Sequence, residues 1–266
     1  MRQYVSKQNR ALLSELVRTD FKLRYQGSVL GYAWSLLRPL FLFVILYVVF
    51  AKFLKLGADV PHFPIYLLLG IVIWNFFTEM TSQSTTAIVA RGDLIRKIRI
   101  PRWMIVFSSS LSALINLGLN LLVVGVFMIF NHVSIMETAP LAVLALVEVY
   151  IFSLGVSLFL AAAYVKYRDV SYIWEVLLQA GFYLTPILYP LSQIPSLAFQ
   201  KLLLLNPMAQ AIQDTRYALV THESPTVYQL FGGGYYASIP FVVVILVAVG
   251  GLLYFKKEAK YFAENI

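Results

Sequence analysis

The stretch A-R-G-D-L-I-R-K-I-R-I-P-R, residues 90–102, carries five basic side chains, Arg91, Arg96, Lys97, Arg99 and Arg102, between two long apolar runs. Short loops of membrane proteins keep Lys and Arg on the cytoplasmic side, so this segment orients the helices that flank it. Outward from it the same punctuation recurs. Arg2, Lys7, Arg10, Arg18, Lys22, Arg24 and Arg38 precede it; Lys166 with Arg168, then Lys256, Lys257 and Lys260, follow it. Only Lys52, Lys55, Lys201 and Arg216 stand outside these clusters. Between consecutive clusters lies enough apolar sequence to cross a bilayer twice, which predicts an even number of spans with both termini in the cytoplasm.

Composition agrees. The 266 residues are 60% hydrophobic and 13% charged, whereas a soluble domain carries about 25% charged residues. The chain is therefore read as an integral membrane protein. Its net charge of +8 follows from the positive-inside bias and from attraction to anionic lipid headgroups, so membrane lipids and not nucleic acid are the expected partners. Cysteine is absent, which excludes disulfides, thiolate metal sites and cysteine nucleophiles. Arg18, Asp20, Lys22 and Arg24 precede any long apolar run, unlike a cleaved signal, so the first span itself is expected to direct insertion.

Six apolar windows are long enough to span: 34–53, 63–89, a part of 103–136, 141–165, 171–189 and 238–255. All six are expected to be helical, because open sheet edges are not viable in lipid and barrel-like alternation is missing. The predicted fold is all-α: one polytopic transmembrane domain of six helices covering residues 1–266. Between the fifth and sixth spans, residues 191–237 hold two apolar runs, 197–205 and 208–219, too short to cross and punctuated by Pro190, Pro195, Asn206-Pro207 and Pro225. They are expected to form re-entrant or interfacial helices that close the outer mouth. Before the first span, residues 9–25 place Leu12, Leu13, Leu16, Val17, Phe21 and Leu23 on one helical side and Ser14, Glu15, Arg18 and Lys22 on the other. That predicts an amphipathic helix in the cytoplasmic interface, with Asp20 and Arg24 spaced to pair on its apolar side.

Chemistry-bearing motifs are few. No G-x-x-x-x-G-K-[ST] phosphate loop, H-E-x-x-H zinc motif or G-x-S-x-G elbow occurs, and His62, His132 and His222 scatter over predicted outer loops. No catalytic residue and no metal site is assigned. Glu79, Glu148 and Glu175 fall in or near spans, where an ionisable group must be paired, hydrated or functional. Glu148 is the deepest, and both a structural contact and a place in a transport path remain open for it. Aromatics such as Trp34, Trp74, Phe77, Trp103, Trp174, Tyr183 and Tyr189 cluster near span ends. An interfacial belt accounts for most of them, and the sharper reading is that some line a conduit whose rings stack on sugar faces.

Four stretches in order resemble the permease subunit of type-2 ABC exporters, in the branch that moves polysaccharides, O-antigens and teichoic acids out of bacteria. The first is R-T-D-F-K-L-R-Y-Q-G-S-V-L-G-Y-A-W-S-L-L-R-P, residues 18–39, matching at Arg24-Tyr25, Ser28, Leu30-Gly31, Trp34 and Pro39. Gly70 with Trp74-Asn75-Phe76-Phe77, then Asp93 to Ile98 and Pro101, form the second; Gly92 departs from the Asn or Ser expected there. Tyr167-Arg168-Asp169-Val170 leading to Leu184-Thr185-Pro186-Ile187-Leu188-Tyr189 is the third, and Asn206-Pro207-Met208 with Arg216 the fourth.

The resemblance implies a homodimer of permeases around a conduit, with two copies of a cytoplasmic ATPase subunit holding ATP and magnesium; no cofactor would sit on this chain. It implies that residues 90–102 couple to that ATPase through Arg91, Asp93, Leu94, Arg96, Lys97 and Pro101, with Leu94, Ile95 and Ile98 as anchors. Arg18, Lys22, Arg24, Tyr25 and Trp34 would mark the entry of a polysaccharide linked to polyprenyl diphosphate. Trp74, Phe77, Glu148, Tyr183, Pro186, Tyr189, Asn206 and Pro207 would belong to the conduit or its outer gate. The implied site is the bacterial cytoplasmic membrane. Rival readings are a drug or lipid exporter of the same superfamily, an ion-coupled transporter dependent on Glu148, and an enzyme acting on polyprenyl phosphates, for which no acidic cluster is present.

Overall fold

Apolar runs become helices throughout, and no strand occurs among the described residues of the computed structural model, which are 7–25, 30–31, 33–55, 57–97, 100–134 and 136–265. The side chains of residues 7–10, 21, 23–25, 97, 263 and 265 lie outside that description. In order the helices are α1 (Lys7–Tyr25), α2 (Ala33–Leu46), α3 (Phe63–Ala90), α4 (Gly92–Lys97), α5 (Trp103–Phe130) and α6 (Ala139–Lys166). Then come α7 (Val170–Leu184), α8 (Leu197–Leu204), α9 (Pro207–Leu219), α10 (Val227–Phe231), α11 (Ile239–Glu258) and α12 (Phe262–Asn265).

Among the described residues, five helical stretches are long and apolar enough to cross a membrane: α2 with its π-helical extension to Phe53, α3, α5, α6, and Tyr235–Tyr261, which contains α11. The window at 171–189, expected as a sixth span, instead gives the 15-residue α7. At 1.5 Å per residue this rises about 22 Å, short of the roughly 30 Å hydrocarbon core. Pro186 is the reason. It cannot donate to the helix, and it forces Thr185 into an extended conformation (φ −79°, ψ 137°), so the chain turns out of α7 there.

The central element is α3. Of its core stretch 78% is buried inside the protein, against 11–39% for the other four. It packs against α2, α5, α6, α7 and α9, while α6 in turn meets α9 and α11. Small residues permit the last approach: a Cβ on Gly155 of α6 would lie 2.6 Å from the Ala248 Cα of α11, and one on Gly251 would collide with the Gly155 carbonyl. Close backbone contact of this kind replaces the hydrophobic driving force that lipid removes. Towards the α4 end, Ala87, Ile88, Ile105, Val106, Leu158, Phe255 and Phe262 form a second cluster.

The two short runs between α7 and α11 are helices, as expected. Ser196 Oγ accepts from Phe199 N at 3.4 Å to start α8, and Asn206 Oδ1 accepts from Met208 N at 3.0 Å to start α9, with Pro207 at its first turn. Most of α9 is buried, packed on α6 and α3. At the other end α1 lies along α5 with Leu16 buried. Asp20, expected to pair with Arg24 on its own helix, is engaged by Arg91 from beyond the end of α3.

Candidate functional site

Along α3 the polar residues Asn75, Thr78, Ser82 and Thr85 recur at steps of three, four and three, which puts them on one face of the helix. That face is the floor of two adjoining cavities. One, of about 570 Å³, lies between α2, α3 and α7 and is lined by Arg38, Trp74, Asn75, Thr78, Ser82, Thr85, Ser171, Trp174, Glu175, Gln179, Phe182 and Tyr183, among others. The other, of about 480 Å³, lies between α2, α3 and α5 and includes Trp34, Ser35, Arg38, Asn75, Thr78, Glu79, Ser82, Gln83, Asn116 and Asn120. Arg38, Asn75, Thr78 and Ser82 belong to both, so the two form a continuous polar trough.

Hydrogen bonds hold the lining in place. Asn116 Nδ2 donates to Glu79 Oε1 at 2.6 Å, so Glu79 is satisfied across α3 and α5. Asn120 Nδ2 donates to the Asn116 carbonyl at 2.8 Å and to the Ser35 carbonyl at 3.4 Å. The Trp174 indole donates to Thr81 Oγ1 at 3.0 Å, and Trp74 packs against Phe77 and Phe182 with centroids 5.5 and 6.2 Å away. Fixed indole faces beside hydroxyl and amide groups are suited to sugars, whose rings offer apolar faces and whose hydroxyls both donate and accept.

The residues expected for a conduit divide. Trp74 and Tyr183 line the trough, and Trp34, expected at the substrate entry, lines it too. Phe77 does not line it; it stacks on Phe152 at 5.7 Å within the core. Pro186 and Tyr189 shape the turn after α7, where the Tyr189 hydroxyl donates to the carbonyls of Tyr183 and Leu184 at 3.3 and 3.2 Å. Asn206 and Pro207 start α9. Glu148 faces a different groove, beside Asp214, and Gln210 Nε2 donates to both carboxylates at 3.3 and 2.6 Å.

Of the residues expected to couple, Arg91 pairs with Asp20 and donates to Ser108 Oγ at 2.9 Å, while Ser108 Oγ donates to Asp20 at 3.2 Å. This knot joins α1, the end of α3 and α5. Burial pulls the Arg91 guanidinium below its usual pKa, a cost that the Asp20 carboxylate offsets. Asp93 and Arg96 are exposed, and Leu94 and Pro101 half-buried. Ile95 packs inward against the Ile88–Phe262 cluster, so it anchors α4 to this chain; Ile98 lies outside the described residues. Arg18 and Lys22 are exposed on α1, and Arg18 borders a cleft between α1 and α5. The side chains of Arg24, Tyr25 and Lys97 lie outside the described residues.

Sequence reasoning missed Arg38, Asn75, Thr78, Ser82, Asn116, Asn120 and Gln179 as lining residues. The heptad-like polar steps on α3 and the four-residue spacing of Asn116 and Asn120 were the available signals. Arg216, matched in the fourth stretch but given no role there, is fully buried on α9, and its Nε, Nη1 and Nη2 donate to the carbonyls of Tyr66, Pro186 and Ile187 at 2.9, 2.6 and 2.9 Å. Its guanidinium lies 3.6 Å from the Tyr66 ring centroid, and a Cβ on Gly70 would collide with it.

A family model described as ABC-2 type transporter matches residues 11–220. The chain is 31% identical over 263 residues to the O-antigen export system permease protein RfbA of Myxococcus xanthus, covering 97% of this chain and 96% of that one. It is 29% identical over 259 residues to the protein of the same name from Klebsiella pneumoniae, covering 95% and 94%. With the polysialic acid transport protein KpsM of Escherichia coli it shares 25% identity over 210 residues, covering 76% and 78%.

Proposed function

Because this chain belongs to the ABC-2 type transporter family, we propose that it is the membrane-embedded permease of an exporter that moves a lipid-linked polysaccharide across the bacterial cytoplasmic membrane. Names of relatives that export O-antigen or transport polysialic acid support the substrate class. The polymer is carried on polyprenyl diphosphate, and its movement is driven by ATP hydrolysis on a separate subunit, since this chain has no phosphate-binding loop.

The observation that carries the reading is the trough. A stripe of Asn, Thr and Ser flanked by Trp34, Trp74 and Trp174 is costly to place among apolar spans unless it meets a polar cargo. Two copies of the chain bring their troughs together to enclose a conduit. In it the hydroxyl and amide groups exchange hydrogen bonds with successive sugars without fixing any one of them, as a sliding polymer requires. Both termini face the cytoplasm, the chain after α7 completes a sixth crossing, and α8 and α9 re-enter the membrane from the outer side to close the mouth. On the cytoplasmic side, Asp93, Leu94 and Arg96 on α4 meet the ATPase. The Asp20–Arg91–Ser108 knot carries its motion to α1, where the lipid-linked substrate enters beside Arg18, Lys22 and Trp34.

Asn75→Leu combined with Ser82→Leu removes two hydrogen-bonding positions from the trough floor. At about 1 kcal/mol each, the loss lowers ATP-driven export in vesicles by about tenfold or more, while permease–ATPase assembly and ATP hydrolysis persist. Undiminished export in the double variant defeats the conduit assignment.

A further inference from the structure

Behind α7, on the side away from the trough, an apolar groove of about 610 Å³ opens between α6, α7 and α11. Its walls are Phe159, Ile173, Leu177, Val247, Gly250 and Tyr254, among others, with almost no polar surface. Ile173 and Leu177 are 59% and 55% exposed. A Cβ at Gly250 would meet nothing within 4 Å, so the groove reaches the backbone of α11 there. At bilayer depth such a groove offers water no hydrogen-bonding partner, whereas an acyl chain fills it by van der Waals packing without being desolvated.

One mouth of the groove is charged. Tyr254, at that end, lies within electrostatic reach of Lys166 and Glu258. Lys257 stands three residues beyond Tyr254 on the same face of α11. Around this mouth the segments 164–170 and 254–260 supply Lys166, Arg168, Lys256, Lys257 and Lys260 against Asp169 and Glu258. Apolar walls ending in a net positive rim complement one molecule of the bilayer: a phospholipid with an anionic headgroup, chain in the groove and phosphate at the lysines.

We propose that this groove is a binding site for an anionic phospholipid. Its position gives the occupant a consequence. Trp174 lines both the groove and the trough, and Leu178 is the one buried side chain on α7. A chain seated behind α7 therefore packs the back of a helix whose front lines the conduit, and supports Trp174 in the pose that donates to Thr81. The proposal rests on the membrane-spanning reading above but not on the identity of the exported polymer.

The test is photolabelling of the purified permease–ATPase complex in nanodiscs of phosphatidylcholine containing phosphatidylglycerol with a diazirine on its acyl chain. Label is expected on the α7 and α11 peptides holding Ile173, Leu177, Val247 and Tyr254, in excess over exposed Leu122 and Ile129 of α5. Gly250→Leu, which grows into open space, brings the groove label down to the α5 level. Lys166→Gln with Lys257→Gln abolishes the preference over phosphatidylcholine bearing the same diazirine. Equal labelling of groove and α5 overturns the site, as does full labelling in Gly250→Leu. Displacement by a polyprenyl phosphate assigns the groove to the substrate tail instead, and a disulfide between two Leu177→Cys copies assigns it to the dimer. Failure of the trough variants to impair export would leave these labelling results standing, so the two readings fail separately.

Discussion

Arg216 sends its donors to three backbone carbonyls, two of them in the turn that follows α7 and the third in the first turns of α3. Carbonyls exposed by a proline break have no helical partner, and at membrane depth each needs a donor from elsewhere. The planar fork of arginine reaches all three at once; a lysine, with one compact ammonium, does not. Arg216→Met is expected to destabilise the folded permease by about 3–5 kcal/mol, read as a lower temperature for loss of the monodisperse species in detergent. Arg216→Lys should fall between, and Gly70→Ala should reproduce part of the loss by displacing the guanidinium. Glu148 invites a different expectation. Gln210 holds it beside Asp214, away from the trough, so Glu148→Gln should leave ATP-driven export within about twofold of the parent, the scale of one exposed or amide-shared hydrogen bond. Export abolished by that substitution would revive the ion-coupled reading. Neither placement could be read from the chain: the partners of Arg216 lie 29 to 150 residues away and are backbone atoms, which carry no signature of their own.

At the level of elements, α4 and its neighbours act as one piece. Ile95 packs inward, Arg102 lies over the Phe262 ring at 5.9 Å, and Arg91 is tied to Asp20 and Ser108. On the proposed coupling, a push on the exposed Asp93–Arg96 face would pass to α1, α3 and α5 together. Asp93→Ala with Leu94→Ala should weaken ATPase association or coupled export while membrane insertion stays intact. Asp20→Asn should act downstream, leaving association unchanged but lowering export per ATP hydrolysed; equal coupling ratios in Asp20→Asn and parent would show that the knot transmits nothing. Much at this scale was legible beforehand. The basic segment 90–102 marked the turn between two spans, and Asn206-Pro207 announced the start of α9, because charge and capping act locally. The extent of α7 was not, since hydropathy continues past residue 184 while Pro186 breaks the backbone. The polar stripe on α3 was obscured by its neighbours: Trp74, Phe76 and Phe77 dominate the same window, and which face they share with the bundle depends on α5, α6 and α7.

The whole molecule is lopsided for a conduit. Its most buried helix, α3, carries the trough floor, yet α2 and α7, which form the walls, keep large apolar side chains exposed: Phe41 at 57%, Ile45 at 60% and Tyr183 at 67%. On the function proposed above, one copy would supply a half-channel, and closure around a polymer would take a second copy applied to the α2–α7 side by a two-fold axis. This chain has no cysteine, so between two copies of it a single introduced thiol can pair only with its own symmetry mate. Under mild oxidation in membranes, Tyr183→Cys should form a disulfide-linked dimer, whereas Ile129→Cys on the exposed outer face of α5 should remain monomeric on denaturing gels. ATP-analogue binding by the partner subunit should change the yield at position 183 if the two α7 helices move as the conduit opens. Crosslinking at Ile129 but not at Tyr183 would place the dimer on the opposite side and leave the trough facing lipid, a setting in which its Asn, Ser and Thr residues would have nothing polar to meet.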